Sequence, residues 1–187
     1  TLLKANDTVL IHAGAGGVGQ AAIQLAQYAG ATIIATAGDE RKRDFLRAQG
    51  ITHVFDSRSV SFAEAIHLAT DGHGVDVVLN SLSGEGFIEA SLSVCKPGAR
   101  FLEIGKRNIW TEEQMRVYRP DIEYHVIALD EIGITRPFII KEMFEELMPL
   151  FAEGSLSPLP ITSFPIEQAI VAFEYMKSAK HIGKVVV

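Results

Sequence analysis

The sequence predicts an α/β fold: a doubly wound parallel sheet of Rossmann type, with helices on both faces. Three observations predict it. The apolar run Val9-Leu10-Ile11 passes through His12 and Ala13 into Gly14-Ala15-Gly16-Gly17-Val18-Gly19, where Gly14, Gly16 and Gly19 have the spacing of a strand-to-helix phosphate turn. Short β-branched segments then alternate with helical ones, which is the pattern of parallel strands joined by right-handed crossovers. The run Val75-Asp76-Val77-Val78-Leu79-Asn80 suits a strand buried on both faces.

In the glycine turn, the first glycine permits a tight bend, the second lets a pyrophosphate approach bare backbone, and the third lets the helix close on the strand. The helix start presents free N–H groups and partial positive charge to an anion. Residues 14–19 are therefore the candidate cradle, although glycines at this spacing also occur in ordinary turns. Beyond them Val18, Ala22, Leu25 and Ala29 recur at i, i+4, i+7 and i+11, so that face of the helix is expected to be buried.

Residues 31–36 read as the second strand. Asp39 is the N-cap of a helix over about 40–49 that stops before Gly50. Residues 51–56 form the third strand, and Ser61-Phe62-Ala63-Glu64 has the form of a capping box opening a helix to about Thr70. After the fourth strand, 75–80, come a helix over about 85–94, a turn at Lys96-Pro97-Gly98, and the fifth strand, 100–104. Thr111 and Gln114 can cap a short helix, and 124–129 is the sixth strand. The expected order is 3-2-1-4-5-6.

The last quarter differs. Ile139, Met143, Leu147 and Leu150 make a helical stripe ending at Gly154, residues 158–162 are extended around two prolines, and a helix over about 165–178 precedes a terminal strand, 183–187. Its valines look made to pair with a strand the chain does not contain. The expected division is a dinucleotide-binding domain over 1–155 and a C-terminal segment, 156–187, returning to a substrate domain outside this sequence.

With 187 residues, 48% of them apolar, the chain can bury a good core. A formal charge of −6 argues against a nucleic-acid partner, and no apolar stretch reaches the roughly 20 residues that span a bilayer. Thr1-Leu2-Leu3-Lys4 carries no signal-peptide pattern, so a cytoplasmic protein is expected. The single cysteine, Cys95, rules out an internal disulfide and suits a buried apolar role.

Several stretches together resemble the enoyl reductase domain of type I polyketide synthases and animal-type fatty acid synthases. This is a zinc-independent, quinone-oxidoreductase-like branch of the medium-chain dehydrogenase/reductases. They are the glycine turn, Thr36-Ala37-Gly38 with Lys42, Asp56-Ser57-Arg58, Leu79-Asn80-Ser81-Leu82 with Gly84-Glu85, Phe101-Leu102-Glu103-Ile104-Gly105-Lys106, Leu129-Asp130, and the closing His181-Ile182-Gly183-Lys184-Val185-Val186-Val187. The resemblance implies NADPH as cofactor and an enoyl thioester carried on acyl carrier protein as substrate. It also implies other domains of a multidomain synthase as partners, and allows a homodimer.

The residues alone leave the cofactor open between NAD and NADP. Asp39 lies near the place of a ribose-binding carboxylate, which would mean NAD, but the strand tip itself is Ala37-Gly38 and Asp39 fits an N-cap better. Arg41, Lys42 and Arg43 crowd the first helical turn, where the macrodipole disfavours cations and a bound anion would relieve the repulsion. The resemblance puts Lys42, with Arg58 nearby, against a 2′-phosphate, and Thr36, Gly38, Asn80, Ser81, Leu82, Ile104 and Gly105 along the cofactor cleft. It assigns proton donation to Lys106 and its orientation to Asp130, a residue expected at the end of the sixth strand.

His12 is expected to be a packed histidine and Glu103 a satisfied polar group. No Tyr-x-x-x-Lys is present, which disfavours a short-chain dehydrogenase. A stand-alone quinone oxidoreductase and a non-catalytic nucleotide-binding module remain the alternatives.

Overall fold

A computed structural model describes residues 3–187. Six parallel strands form the main sheet: β1 (Thr8–Ile11), β2 (Thr32–Ala37), β3 (His53–Asp56), β4 (Val75–Asn80), β5 (Cys95–Glu103) and β6 (Glu123–Val126). Their order is β3-β2-β1-β4-β5-β6, as the sequence predicts. Chain direction reverses its march across the sheet between β1 and β4, the switch point outside whose strand carboxyl ends sheets of this kind bind ligands.

The two-residue period of a strand sends alternate side chains to opposite faces. Leu10, Ile34, Val78 and Phe101 join one buried cluster with Phe62 and Ile66 of α3 (Phe62–Ala69), Leu92 of α4 (Phe87–Ser93) and Met115 of α5 (Glu112–Tyr118). Val9, Ile11, Ile33, Ala35 and Val77 join the other with Ile23 and Ala26 of α1 (Gly17–Tyr28) and Leu46 of α2 (Glu40–Ala48). Both faces of the central strands are thus dry. Its amino-terminal edge is tied by ion pairs, Arg100 to Asp7 at 2.5 Å and Lys96 to Asp76 at 2.7 Å.

The buried face of α1 is not the expected one. Gly19, Gln20, Ile23 and Ala26 are buried, whereas Val18 is 53% exposed and Leu25 37%. Gly19 decides the rotation: a Cβ there would stand 2.5 Å from the Ala13 carbonyl oxygen and 2.6 Å from the Gly14 Cα, so only a bare α-carbon permits this approach. The stripe that shares a face with Gly19 is therefore the buried one. Gln20 turns inward because its Nε2 donates to the Ala15 carbonyl at 2.9 Å.

Asp39 and Thr111 cap their helices as expected. The Asp39 carboxylate accepts from the Lys42 N–H at 2.9 Å, and Thr111 and Gln114 form a reciprocal capping box. Ser61 does not cap α3, because its backbone is already helical (φ −62°, ψ −15°) and its hydroxyl meets that of Ser59 at 2.6 Å. Lys96-Pro97-Gly98 is a bulge within β5: Val75 pairs with Cys95, then Val77 pairs with Arg100. β6 ends at Val126, and Leu129 begins α6 (Leu129–Thr135), so Asp130 stands in the first turn of a helix and not at a strand end.

Helix α7 (Pro137–Ala152) follows, and none of its residues is buried; Met143 of the predicted stripe is exposed. The tail contains β7 (Ile161–Ser163), a 3₁₀ turn (Ile166–Gln168), α8 (Ala169–Lys177) and β8 (Lys184–Val186). The terminal valines do have a partner in the chain: Val185 and Val186 pair in parallel with Thr162 and Ser163 of β7. The prolines at 158 and 160 hid that strand in the sequence, because they mark a connection more strongly than three residues mark a strand. Among the described residues no helix is long and apolar enough to cross a membrane.

Candidate functional site

The glycine loop is pinned at the carboxyl edge. Gly14 N–H donates to the Thr36 carbonyl and Gly16 N–H to the Ala13 carbonyl, each at 2.9 Å. Helix α1 has Gly16 at its N-cap and no side-chain cap, which leaves the N–H groups of its first turn, Gly17, Val18 and Gly19, facing the place where an anion would sit. Ala15 closes the loop on the tail, its carbonyl accepting from Gly183 N–H at 2.9 Å. Only glycine fits there, since a Cβ on Gly183 would lie 2.0 Å from the Pro160 carbonyl oxygen.

That contact carries a cation to the loop. The side chain of Lys184 lies across Gly17, so close that a Cβ on Gly17 would meet its Nζ at 2.9 Å. The sequence assigns Lys184 no site role. The only signal for it was the closing Gly183-Lys184 pair, and its place depends on a fold-back that no local pattern announces.

His12 supports the loop from below. It is buried, with Nδ1 2.9 Å from Thr36 Oγ1 and Nε2 3.0 Å from Ser91 Oγ, and its ring stands edge-on to Phe62. Ser91 already donates its proton to the Phe87 carbonyl, so it accepts from Nε2–H, and Nδ1 accepts from Thr36. Burial pushes the His12 pKa down to about 3, and the ring is neutral. Thr36 is consequently a support of the loop; both its hydroxyl and its carbonyl are engaged beneath the cleft.

Beside the loop opens a cleft of about 300 Å³ whose wall includes Gly38, Asp39, Lys42, Ser57, Arg58 and His181. Lys42 Nζ donates to the Ala179 carbonyl at 2.6 Å, and burial lowers its pKa, with Asp39 opposing that shift. Arg58 lies against Gly38, where an added Cβ would be 3.4 Å from Nε. The other two cations of the crowded turn already have partners. Arg43 bonds Glu40 and the Ala37 carbonyl, and Arg41 donates to the Lys180 carbonyl at 2.5 Å.

At the ends of β4 and β5 a buried polar knot replaces apolar packing. Asn80 Nδ2 donates to Glu103 Oε2 at 2.6 Å and to the Leu82 carbonyl at 3.1 Å, while Gly105 N–H donates to Glu103 Oε1 at 2.6 Å. Burial raises the Glu103 pKa, and the Asn80 hydrogen bond opposes it. Ile104 N–H donates to the Asn80 carbonyl at 3.0 Å, so the 104–105 turn is held at both ends. Next to this knot Ser81 Oγ is buried without a partner among the described residues. An unsatisfied buried hydroxyl at the cleft is what a hydrogen-bonding ligand would complete.

Beyond Gly105 the chain surfaces. Lys106 Nζ and Asp130 Oδ2 form a hydrogen-bonded ion pair, their side chains 67% and 64% exposed. The Lys106 hydrogen bond is the main cause of the lowered Asp130 pKa. The predicted pair is thus brought together across α6 and the 104–106 turn. The loop, the cation cleft and the polar knot lie along one sheet edge, an arrangement suited to an extended ligand with a charged end, a central diphosphate and a polar ring.

Residues 49–187 match the family described as zinc-binding dehydrogenase. The chain is 44% identical over 188 residues to a mycocerosic acid synthase-like polyketide synthase of Mycolicibacterium smegmatis, covering 99% of this chain and 9% of that protein. It spans about a tenth of the curated relatives it matches. The solved CurK enoyl reductase is 49% identical with a TM-score of 0.93, over 98% of this chain and 55% of that one. The nucleotide-binding subdomain of the enoylreductase domain of PpsC from Mycobacterium tuberculosis is 38% identical with a TM-score of 0.76, over 83% of this chain and 87% of that one.

Proposed function

The chain belongs to the zinc-binding dehydrogenase family and, within it, to the enoyl reductase domains of polyketide synthases, and from that premise we propose that it is the NADPH-binding portion of an enoyl thioester reductase. Its carrier would be acyl carrier protein, and its neighbours the other domains of a cytoplasmic synthase. Residues 1–155 would form the dinucleotide-binding domain and 156–187 the return to a substrate domain, with a homodimer as a possible assembly. The observation that carries the proposal is the Lys106–Asp130 pair on the same sheet edge as the glycine loop and the cation cleft.

The site fits a nicotinamide dinucleotide. A Cβ at Gly16 would press on the Ala13 carbonyl at 3.3 Å, Lys184 bridges the loop, and Ser81 Oγ and His181 Nδ1 are buried polar atoms without partners among the described residues. Gly16, Gly17, Val18 and Lys184 would hold the diphosphate, Lys42 and Arg58 a 2′-phosphate, and Ser81, Leu82, Ile104 and Gly105 the ring. A metal is not fitted: among the described residues no three His, Cys, Asp or Glu side chains could hold one.

Enoyl reduction adds a hydride at the β-carbon, supplied by the bound nicotinamide, and a proton at the α-carbon. Lys106 holds that proton on Nζ, and its charge favours the enolate that forms before protonation. Asp130 holds the ammonium in place by a hydrogen bond, and Glu103 with Asn80 fixes the turn from which Lys106 projects. The test is NADPH oxidation by the chain together with its upstream substrate domain, with a crotonyl thioester and with a quinone as acceptors. Turnover of the quinone alone would overturn the proposal.

A further inference from the structure

We propose that His181 completes the 2′-phosphate site begun by Lys42 and Arg58, and that its ring gains a proton when that phosphate binds. The inference rests on the NADPH reading above. His181 stands in the wall of the same cleft as Lys42 and Arg58, although it comes from the opposite end of the chain. Its position is fixed on both sides: Ala179 takes a left-handed backbone (φ 52°) and offers its carbonyl to Lys42, and Gly183 is bonded to Ala15.

The ring itself lacks what a packed histidine has. Nδ1 is buried and without a partner among the described residues, in contrast to His12, where both nitrogens are bonded. Of the two nitrogens only Nδ1 is sealed from solvent, and Nε2, which has no bond among the described residues, belongs to a ring that stands in the cleft wall. The ring makes an edge contact with Tyr175, at 6.3 Å between centroids.

The groups facing the ring are mainly cationic. Lys42 is the charge that acts on it most, Arg58 shares the cleft, and Arg41 is anchored to the adjoining Lys180 carbonyl. The nearby Asp39 carboxylate is tied to its own helix by the Lys42 N–H, and Tyr175 meets the ring with its own ring edge. Burial and Lys42 both hold the empty ring neutral. A phosphate dianion placed among Lys42, Arg58 and the ring reverses that balance, because its two negative charges favour the charged ring over the neutral one. A proton should therefore be taken up with NADP⁺ and not with NAD⁺.

The experiment is calorimetric titration of this chain with NADP⁺ and with NAD⁺ between pH 7 and 8.5, in buffers of differing ionisation enthalpy. Above pH 7 the phosphate, with its second pKa near about 6, is already dianionic and adds little pH dependence of its own. The expected result is proton uptake with NADP⁺ alone, its affinity weakening by about three-fold or more as the pH rises. His181→Gln should weaken NADP⁺ by roughly ten-fold at pH 7, the scale of one charge-assisted hydrogen bond, leave NAD⁺ unchanged and abolish the proton uptake.

If the unmutated chain binds NADP⁺ no better than NAD⁺, the NADPH reading itself fails. If NADP⁺ is preferred but no proton is taken up, or if His181→Gln weakens both dinucleotides equally, the role of His181 is overturned while the cofactor reading stands. Proton uptake is measured on the unmutated protein, so the inference can be refuted even if the variant does not fold.

Discussion

Lys106 and His12 show how much one residue's surroundings decide. Lys106 is exposed and paired with Asp130, so removing it leaves the cleft of Lys42 and the glycine loop intact. In the complete reductase Lys106→Ala should lower turnover by about 10²-fold, the low end for a general acid that water can partly replace, with the dissociation constant for NADPH unchanged. Asp130→Asn should act in the same direction more weakly. Single-turnover rates set against cofactor titrations would separate these effects, and a parallel loss of cofactor binding would remove Lys106 from the chemistry. His12 is the opposite case. Its folded pKa of about 3 lies below the ordinary value of 6.5, so between these limits the unfolded chain binds the extra proton. Stability is therefore lost as pH falls from about 6.5, by at most about 1.4 kcal/mol per pH unit from this group. Urea unfolding at pH 4 to 7 should show a shallower pH slope in His12→Gln than in the unmutated chain.

Among the elements, α1 and α2 carry the site, and each rests on a local contact that a substitution can isolate. Gly19→Ala drives a methyl into the Ala13 carbonyl and Gly14 Cα, both backbone, and should destabilise the fold by about 2 kcal/mol or more. Gly17→Ala meets only the flexible end of Lys184. It should leave the unfolding midpoint within about 0.5 kcal/mol of the original while weakening dinucleotide binding, since Lys184 must move off the loop. Equal loss of stability in both variants would count against this account of the turn. For α2, Asp39→Ser keeps a good N-cap and removes a carboxylate from the cleft wall. Thermal stability should hold, and NADPH affinity should rise; an unchanged affinity would mean that the carboxylate is already screened by its own helix.

The molecule as a whole has a dry sheet with two cores and a periphery that is much less buried. Helix α7 has no buried residue, and Phe138, Phe144, Met148 and Phe151 are exposed along it, whereas the central strands β2, β1 and β4 are largely buried. Amide exchange should follow that contrast. The β1, β4 and β5 amides should exchange only through global opening, and α7 amides faster by several orders of magnitude in this chain, since local opening there exposes little new apolar surface. Equal protection throughout would show that α7 is held by something other than its own packing.

The succession of strands and helices, the glycine turn and the Asp39 and Thr111 caps were legible in the sequence because each depends on near neighbours, and the order of the sheet followed from the fold class they imply. Glycine spacing, the alternation of strand residues and the backbone preference of a cap act over a few positions. The Lys106–Asp130 pair was legible only through family resemblance, and even then Asp130 was put on a strand that ends before it. The face that α1 buries, the ring partners of His12, the partner of the terminal valines, and the arrival of His181 and Lys184 beside the glycine loop were decided by tertiary structure alone. Lys42 and Ala179 lie 137 positions apart and meet through a hydrogen bond of 2.6 Å. No periodicity reaches across such a separation, and only the packing of the tail against the loop brings these groups into one site.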